Sequence, residues 1–239
     1  SHRSSWERGA QGLVDRWLEP LKSSMGERFV LLLGSANVAG HLTTKLLRAM
    51  ARELGLTETA ADLAVDEALL GGVFAPDGGE RFMLSSETLR ARLQASCDSH
   101  REAARIHRSA SAALIGTFGQ DRPDVVAHAA RLTHKAGDPH EACSLVFEAA
   151  DVMAFGGDLA SGRTYFSLGV AWLAPLGLDG RHPLTELSAY IEARLRYFEL
   201  DYEGALDIVR PLLARVEAES PDSPIRLKAV RLVLRSLFY

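Results

Sequence analysis

Apolar positions along the chain fall into a succession of helical stripes. From Ser99 to Leu114, Ala103, Ile106, Ala110, Ala113 and Leu114 recur every three or four residues, while Arg101, Arg105 and Arg108 lie off the stripe. Ser99 with Glu102 three residues on has capping-box spacing, so the pattern predicts a helix from Ser99 to residue 118. Earlier in the chain, Leu13, Val14, Trp17, Leu18 and Leu21 predict a helix with a possible kink at Pro20. A second is predicted over His41 to Leu56, with Leu42, Leu46, Leu47, Met50 and Leu54 on one side, and a third from Thr57 to Gly71. Val73-Phe74-Ala75 and Phe82-Met83-Leu84 then flank Pro76-Asp77-Gly78-Gly79, a turn signal that predicts a two-stranded hairpin. Three helices followed by a hairpin is the order of a winged-helix domain.

Beyond Thr117 the pattern is periodic. Gly137-Asp138, Gly157-Asp158, Leu178-Asp179-Gly180 and Leu200-Asp201-Tyr202 punctuate it at intervals of roughly twenty residues, the length of one helix and a turn. Pairs of such units make helical hairpins of TPR-like length. At the first turn Gly137 suits a left-handed C-cap, Asp138 an N-cap, Pro139 the first helical turn and Glu141 a capping box. Small residues flank the turns, Ala130 with Ala142, Ala150 with Gly162 and Ala193 with Ala205, as close packing of paired helices requires. Tyr202-Glu203-Gly204-Ala205-Leu206 is close to a tetratricopeptide consensus, whereas Glu192 and Arg196 stand where such repeats carry apolar or aromatic residues. The expectation is therefore a divergent array.

Composition narrows the function classes. The 239 residues are 47% apolar and 24% charged, enough for one substantial core or two modest ones. The net charge of -4 gives no global attraction to nucleic acid or to an acidic membrane, and no run approaches the roughly 20 apolar residues of a membrane span. Cys97 and Cys143 form neither a metal pattern nor a disulfide framework, which predicts a cytoplasmic location. The start at Ser1-His2 and the apolar end at Leu237-Phe238-Tyr239 predict a piece of a longer protein.

Candidate chemistry fails on spacing. In the stretch from Val30 to Lys45 a Walker loop would need four residues between its glycines and then a Lys-Ser/Thr pair; Gly34 and Gly40 have five between them, and His41-Leu42 fill the other slots. His128, His134 and His140 recur every six residues, which suits neither a helical face nor zinc. His100 and His107 lie two turns apart and predict an apolar-polar boundary. No catalytic, cofactor or metal residues are assigned. The third helix carries Glu58, Asp62, Asp66 and Glu67 and no base, so it would be repelled by a DNA groove. In the last helix Arg226, Lys228, Arg231 and Arg235 predict a solvated basic face, and Leu227, Val230, Leu234 and Leu237 an apolar one needing cover.

Several of these segments resemble a known family. Arg81-Phe82-Met83-Leu84 is similar to the wing strand, Ser85-Ser86-Glu87-Thr88-Leu89-Arg90 to the turn, and Arg105-Ile106-His107-Arg108 with Ala110, Ala113 and Leu114 to the Arg-rich helix that follow the nucleotide-binding module in bacterial STAND ATPases, the large LuxR-type and MalT-like regulators. Ser86 stands where that family usually has His. Residues Gly12 to Gly40 resemble the family's passage from the ATPase lid to the next small domain. The resemblance implies a winged helix that holds an upstream ATPase closed and a concave array that accepts an inducer or protein partner.

The expected fold is mostly α, a winged-helix-like domain with a small hairpin followed by TPR-like repeats in a right-handed superhelix. The expected organisation is a linker helix over 1–26, the winged-helix-like domain over 27–98, a bridging helix over 99–118 and repeats over 119–239. The expected function is non-enzymatic, a sensor and regulatory module of a STAND-type signal-transduction ATPase acting in transcription regulation. Its partners would be the upstream ATPase module of the same chain, an inducer on the repeats, and a further repeat or second copy meeting Leu234, Leu237, Phe238 and Tyr239. Two alternatives are a TPR-like protein–protein adaptor without ATPase and a winged-helix DNA-binding protein.

Overall fold

The computed structural model describes residues 32–34, 36–37, 42–79, 81–219 and 221–238. The predicted linker helix over 1–26, and Tyr239, lie outside the described residues. The described chain is mostly helical with one small three-stranded antiparallel sheet. It divides into two compact units at Gly119, with Lys135–Gly137 belonging to the first.

In the first unit, strand β1 (Leu42–Thr43) leads into helices α1 (Thr44–Glu53) and α2 (Glu58–Leu70), strands β2 (Phe74–Pro76) and β3 (Arg81–Leu84), and helices α3 (Glu87–Asp98) and α4 (Ala103–Phe118). The helix predicted from His41 is shorter because Leu42 and Thr43 leave it to pair with Phe82 and Arg81. The predicted hairpin is thus the larger part of a sheet in the order β1-β3-β2, with β1 supplying the strand the pattern did not show. A two-residue strand carries no alternation to read. Thr43, Thr57 and Ser86 each cap the following helix, accepting from the amides of Leu46, Ala60 and Leu89. Gly78 and Gly79 make the tight β2–β3 turn at φ 84° and 60°.

The Ser99 capping box does not form. Helix α3 runs on to Asp98, so Ser99 closes that helix, its hydroxyl donating to the Ala95 carbonyl at 2.7 Å. Helix α4 starts at Ala103 without a side-chain cap, and the Glu102 amide donates to His100 Nδ1 at 3.1 Å. Helix α1 packs on α2 and α4, burying Leu46, Leu47, Met50, Ala61, Ala64, Ile106 and Leu114.

The second unit is built from α5 (Pro123–Lys135, its last residue in the first unit), α6 (Pro139–Phe155), α7 (Leu159–Leu173), a 3-10 turn (Ala174–Leu176), α8 (Pro183–Phe198), α9 (Tyr202–Glu219) and α10 (Pro224–Leu237). At three of the four predicted turns the caps fall where the sequence places them: Gly137 and Gly157 take φ 83° and 91°, and Asp138, Asp158 and Asp201 accept from the amides of Glu141, Ser161 and Gly204. At Leu178-Asp179-Gly180 the left-handed residue is instead Gly177, φ 60°, and the cap is His182, whose Nδ1 accepts from the Leu184 amide at 3.2 Å. At the last turn the left-handed position is held by Leu200, φ 66°. Helix α6 packs on α7 and α8, and α8 in turn on α7, α9 and α10, so contacts run between alternate as well as consecutive helices. The shared core centres on Phe147, Ile191, Leu195, Val209, Leu212 and Leu232.

Close approach in this stack depends on small residues. A Cβ at Gly162 would sit 3.1 Å from the Ala150 carbonyl, and one at Gly169 would meet the Phe147 ring at 2.5 Å. The polar residues Glu192 and Arg196 also acquire a reason. Arg163 of α7 donates to Glu192 and Glu199 of the α8 end at 2.6 Å each, and Arg196 bridges Glu192 and Asp201 at 3.1 Å each. An ionic lattice thus runs along the α7–α8 edge beside its apolar contacts.

Candidate functional site, a basic aromatic pocket

Helix α8 places Tyr190, Arg194, Tyr197 and Phe198 on one face, at intervals of four, three and one residues. Helix α10 does the same with Lys228, Arg231, Leu232 and Arg235. Because α8 and α10 are packed together, the two faces meet around a cavity of about 250 Å³ lined by these eight residues. Four of the eight are cations and three are aromatic.

Arg194 is the fixed member. Its Nη1 donates to Asp151 Oδ2 of α6 at 2.8 Å, and its guanidinium carbon lies 5.2 Å from the Phe198 ring centre and 5.8 Å from that of Tyr190. Asp151 is itself under strain of environment. Burial pushes its carboxyl up, and the charges of Arg194 and Lys228 offset this only in part. Its Oδ1 is buried without a hydrogen-bond partner among the described residues. Burial also pushes the Tyr190 phenol up, against the pull of Arg194 and Arg235. Phe198 is braced edge-on by Phe155 at 6.3 Å and by Tyr197 at 5.6 Å. Lys228, Arg231 and Arg235 make no salt bridge within the described residues, whereas Arg226 on the same helix reaches Glu217 at 3.9 Å.

The basic face of α10 is therefore the wall of a cavity as well as a solvated surface. Sequence reasoning missed its other wall, since it singled out none of Tyr190, Arg194, Tyr197 and Phe198. The signal was present in the shared four- and three-residue spacing of basic and aromatic side chains on the two helices. Helix α10 packs through Ile225, Ala229, Leu232 and Ser236, and leaves Leu227, Leu234, Leu237 and Phe238 exposed, Phe238 at 84%. Tyr239, the fourth residue expected at that surface, lies outside the described residues.

The remaining candidates have structural settings. Gly34 is helical and lies against Cys97, whose Sγ would collide with an added Cβ. Burial pushes the Cys97 thiol up to about 12, with the neighbouring Asp98 charge adding to it, and burial also raises Cys143. His107, only 3% exposed, is held by Asp98 Oδ1 at 2.9 Å, and Lys135 approaches the other Asp98 oxygen at 3.4 Å. Burial lowers the His107 pKa against the opposing pull of Asp98, so the ring is neutral at pH 7 with Nε2–H donating and Nδ1 unprotonated. His134 stacks on Trp172 at 4.4 Å, and His140 tilts against His182 at 5.7 Å. No group of three or more metal-ligating side chains is assembled among the described residues, and no described helix is long and apolar enough to cross a membrane. On α2, Asp62 and Glu58 are paired to Arg48 and Arg52 of α1, at 2.8 Å and 3.4 Å.

Comparison with protein families, with curated proteins and with solved structures finds no match to this chain.

Proposed function

We propose that this chain is the regulatory and sensor region of a STAND-type signalling ATPase, itself non-enzymatic, with its second unit receiving the inducer. The pocket between α8 and α10 is the observation that carries the reading: a cavity bounded by alternate helices of a stack lets an occupant bias how those helices pack. Further support comes from the first unit, where two helices are followed by a hairpin whose second strand is Arg81–Leu84, the segment that resembles the family's wing. Its second helix is acidic and partly neutralised by α1, which suits a protein-facing role better than a DNA-reading one. By the resemblance, this unit restrains an ATPase module upstream in the same chain until the inducer binds.

The testing experiment adds this chain in trans to the segment encoded immediately upstream and measures ATP turnover. Suppressed turnover is the expected result. An upstream segment lacking a phosphate-binding loop of the G-x-x-x-x-G-K-[ST] form, or unchanged turnover with no binding, overturns the reading in favour of an adaptor.

A further inference from the structure

Placing Lys228, Arg231 and Arg235 on one helical face has a cost. Like charges three and four residues apart repel, and no acid of α10 offsets them. The chain as a whole is net negative, at -4, so this concentration of cations is local. Arg194 joins them from α8 already oriented by Asp151 and two rings, which lowers the ordering cost of any further contact. Three guanidinium groups and an ammonium are matched in charge and in donor chemistry by a phosphoryl group, which carries about -1.5 to -2 and three acceptor oxygens. Tyr197 and Phe198 add flat apolar surface beside them. The volume, about 250 Å³, lies just under the range of drug-sized pockets and limits the occupant to metabolite size.

From these features we infer that the pocket binds a phosphate monoester bearing a planar ring, the class of the nucleoside monophosphates. The phosphate engages Arg231, Arg235, Lys228 and the free edge of Arg194, and the ring packs face-on against one of Tyr197 and Phe198 and edge-on against the other, since the two planes stand 69° apart. This rests on the reading of the second unit as the inducer-binding part and names the chemistry of the inducer.

Isothermal titration of the whole chain with adenosine monophosphate, adenosine and inorganic phosphate tests it. The expected order is monophosphate tightest, inorganic phosphate weaker and adenosine weakest, with affinity falling as salt rises. Arg231→Gln and Arg235→Gln, at exposed positions where folding is preserved, each weaken monophosphate binding by about tenfold, the loss of one charge-assisted hydrogen bond. Arg226→Gln, outside the cavity, leaves it unchanged. No binding of the monophosphate at about 1 mM overturns the inference. So does affinity indifferent to the two Arg substitutions, or inorganic phosphate binding as tightly as the monophosphate. Arg-dependent binding of a phosphoserine peptide in place of the nucleotide also overturns it and assigns the site to a protein partner. Intact nucleotide binding with no effect on ATP turnover overturns the sensor reading alone, and regulated turnover without nucleotide binding overturns this inference alone.

Discussion

Asp151 Oδ2 receives Arg194 Nη1 at 2.8 Å while its other oxygen is buried and left without a hydrogen-bond partner among the described residues. The carboxylate orients the guanidinium and at the same time opposes any anion arriving beside it. Asp151→Asn keeps an acceptor for Arg194 and removes the charge. Monophosphate affinity measured by titration is expected to rise by about three- to tenfold, the scale of one charge interaction at a partly exposed site. A weaker affinity would show that positioning of Arg194 outweighs the repulsion.

Leu200 occupies the left-handed region at φ 66° and is 71% exposed, at a turn position filled elsewhere by Gly137 and Gly157. A side chain there costs about 1–2 kcal/mol that glycine does not incur. Leu200→Gly is expected to raise the midpoint of thermal unfolding by about 2–4 °C, followed by circular dichroism. A lower midpoint would mean that the Leu200 side chain contributes packing beyond its exposure.

Gly169 lets α7 lie against Phe147, which is fully buried. Alanine favours a helix over glycine by about 1 kcal/mol, but its Cβ would stand 2.5 Å and 2.9 Å from the Phe147 ring and 2.9 Å from Val146 Cγ1. Overpacking of about 1–3 kcal/mol wins, so Gly169→Ala lowers the urea midpoint. A gain in stability would show that the two helices separate freely.

His107 gives the first unit an acid dependence. Its pKa in the folded chain is lowered, by burial against the pull of Asp98, so below about 6.5 the unfolded state binds a proton the folded state refuses. The contribution is fully present above that pH and is lost as pH falls through the folded value. Asp98 acts in a lower window. Burial raises its pKa, but hydrogen bonds from Gln94 and Lys135 and the Lys135 charge outweigh it, so the net shift is down and the contribution disappears only below the ordinary carboxylate range. Urea unfolding at pH 7 and pH 5 is expected to show a smaller fall for His107→Gln than for the parent chain; an equal fall assigns the dependence to other histidines.

Much of the second unit was legible because its turns carry their own chemistry. Gly137, Asp138 and Pro139 each announce a local backbone state, and the helices between them are long enough for a stripe to emerge. Strand β1 was not legible, since Leu42 and Thr43 are fixed by pairing with residues forty positions on, and pairing leaves no trace in so short a run. Ser99 misled for a related reason: a serine with an acid three residues later fits a helix start, yet α3 reached Ser99 first and used its hydroxyl on the Ala95 carbonyl. The pocket lay between these cases. Lys228, Arg231 and Arg235 could be read as a basic face, but a cavity requires the second wall, and only the packing of α8 on α10 brings Arg194, Tyr197 and Phe198 to it.

The glycine seam between α6 and α7 has a mechanical corollary. With a Cβ at Gly162 already within 3.1 Å of a carbonyl and one at Gly169 inside the Phe147 ring's contact distance, the spacing of that hairpin is set by the absence of side chains at the two positions. Substitution is therefore confined to the outward faces of the two helices, since any larger residue on the seam must push them apart.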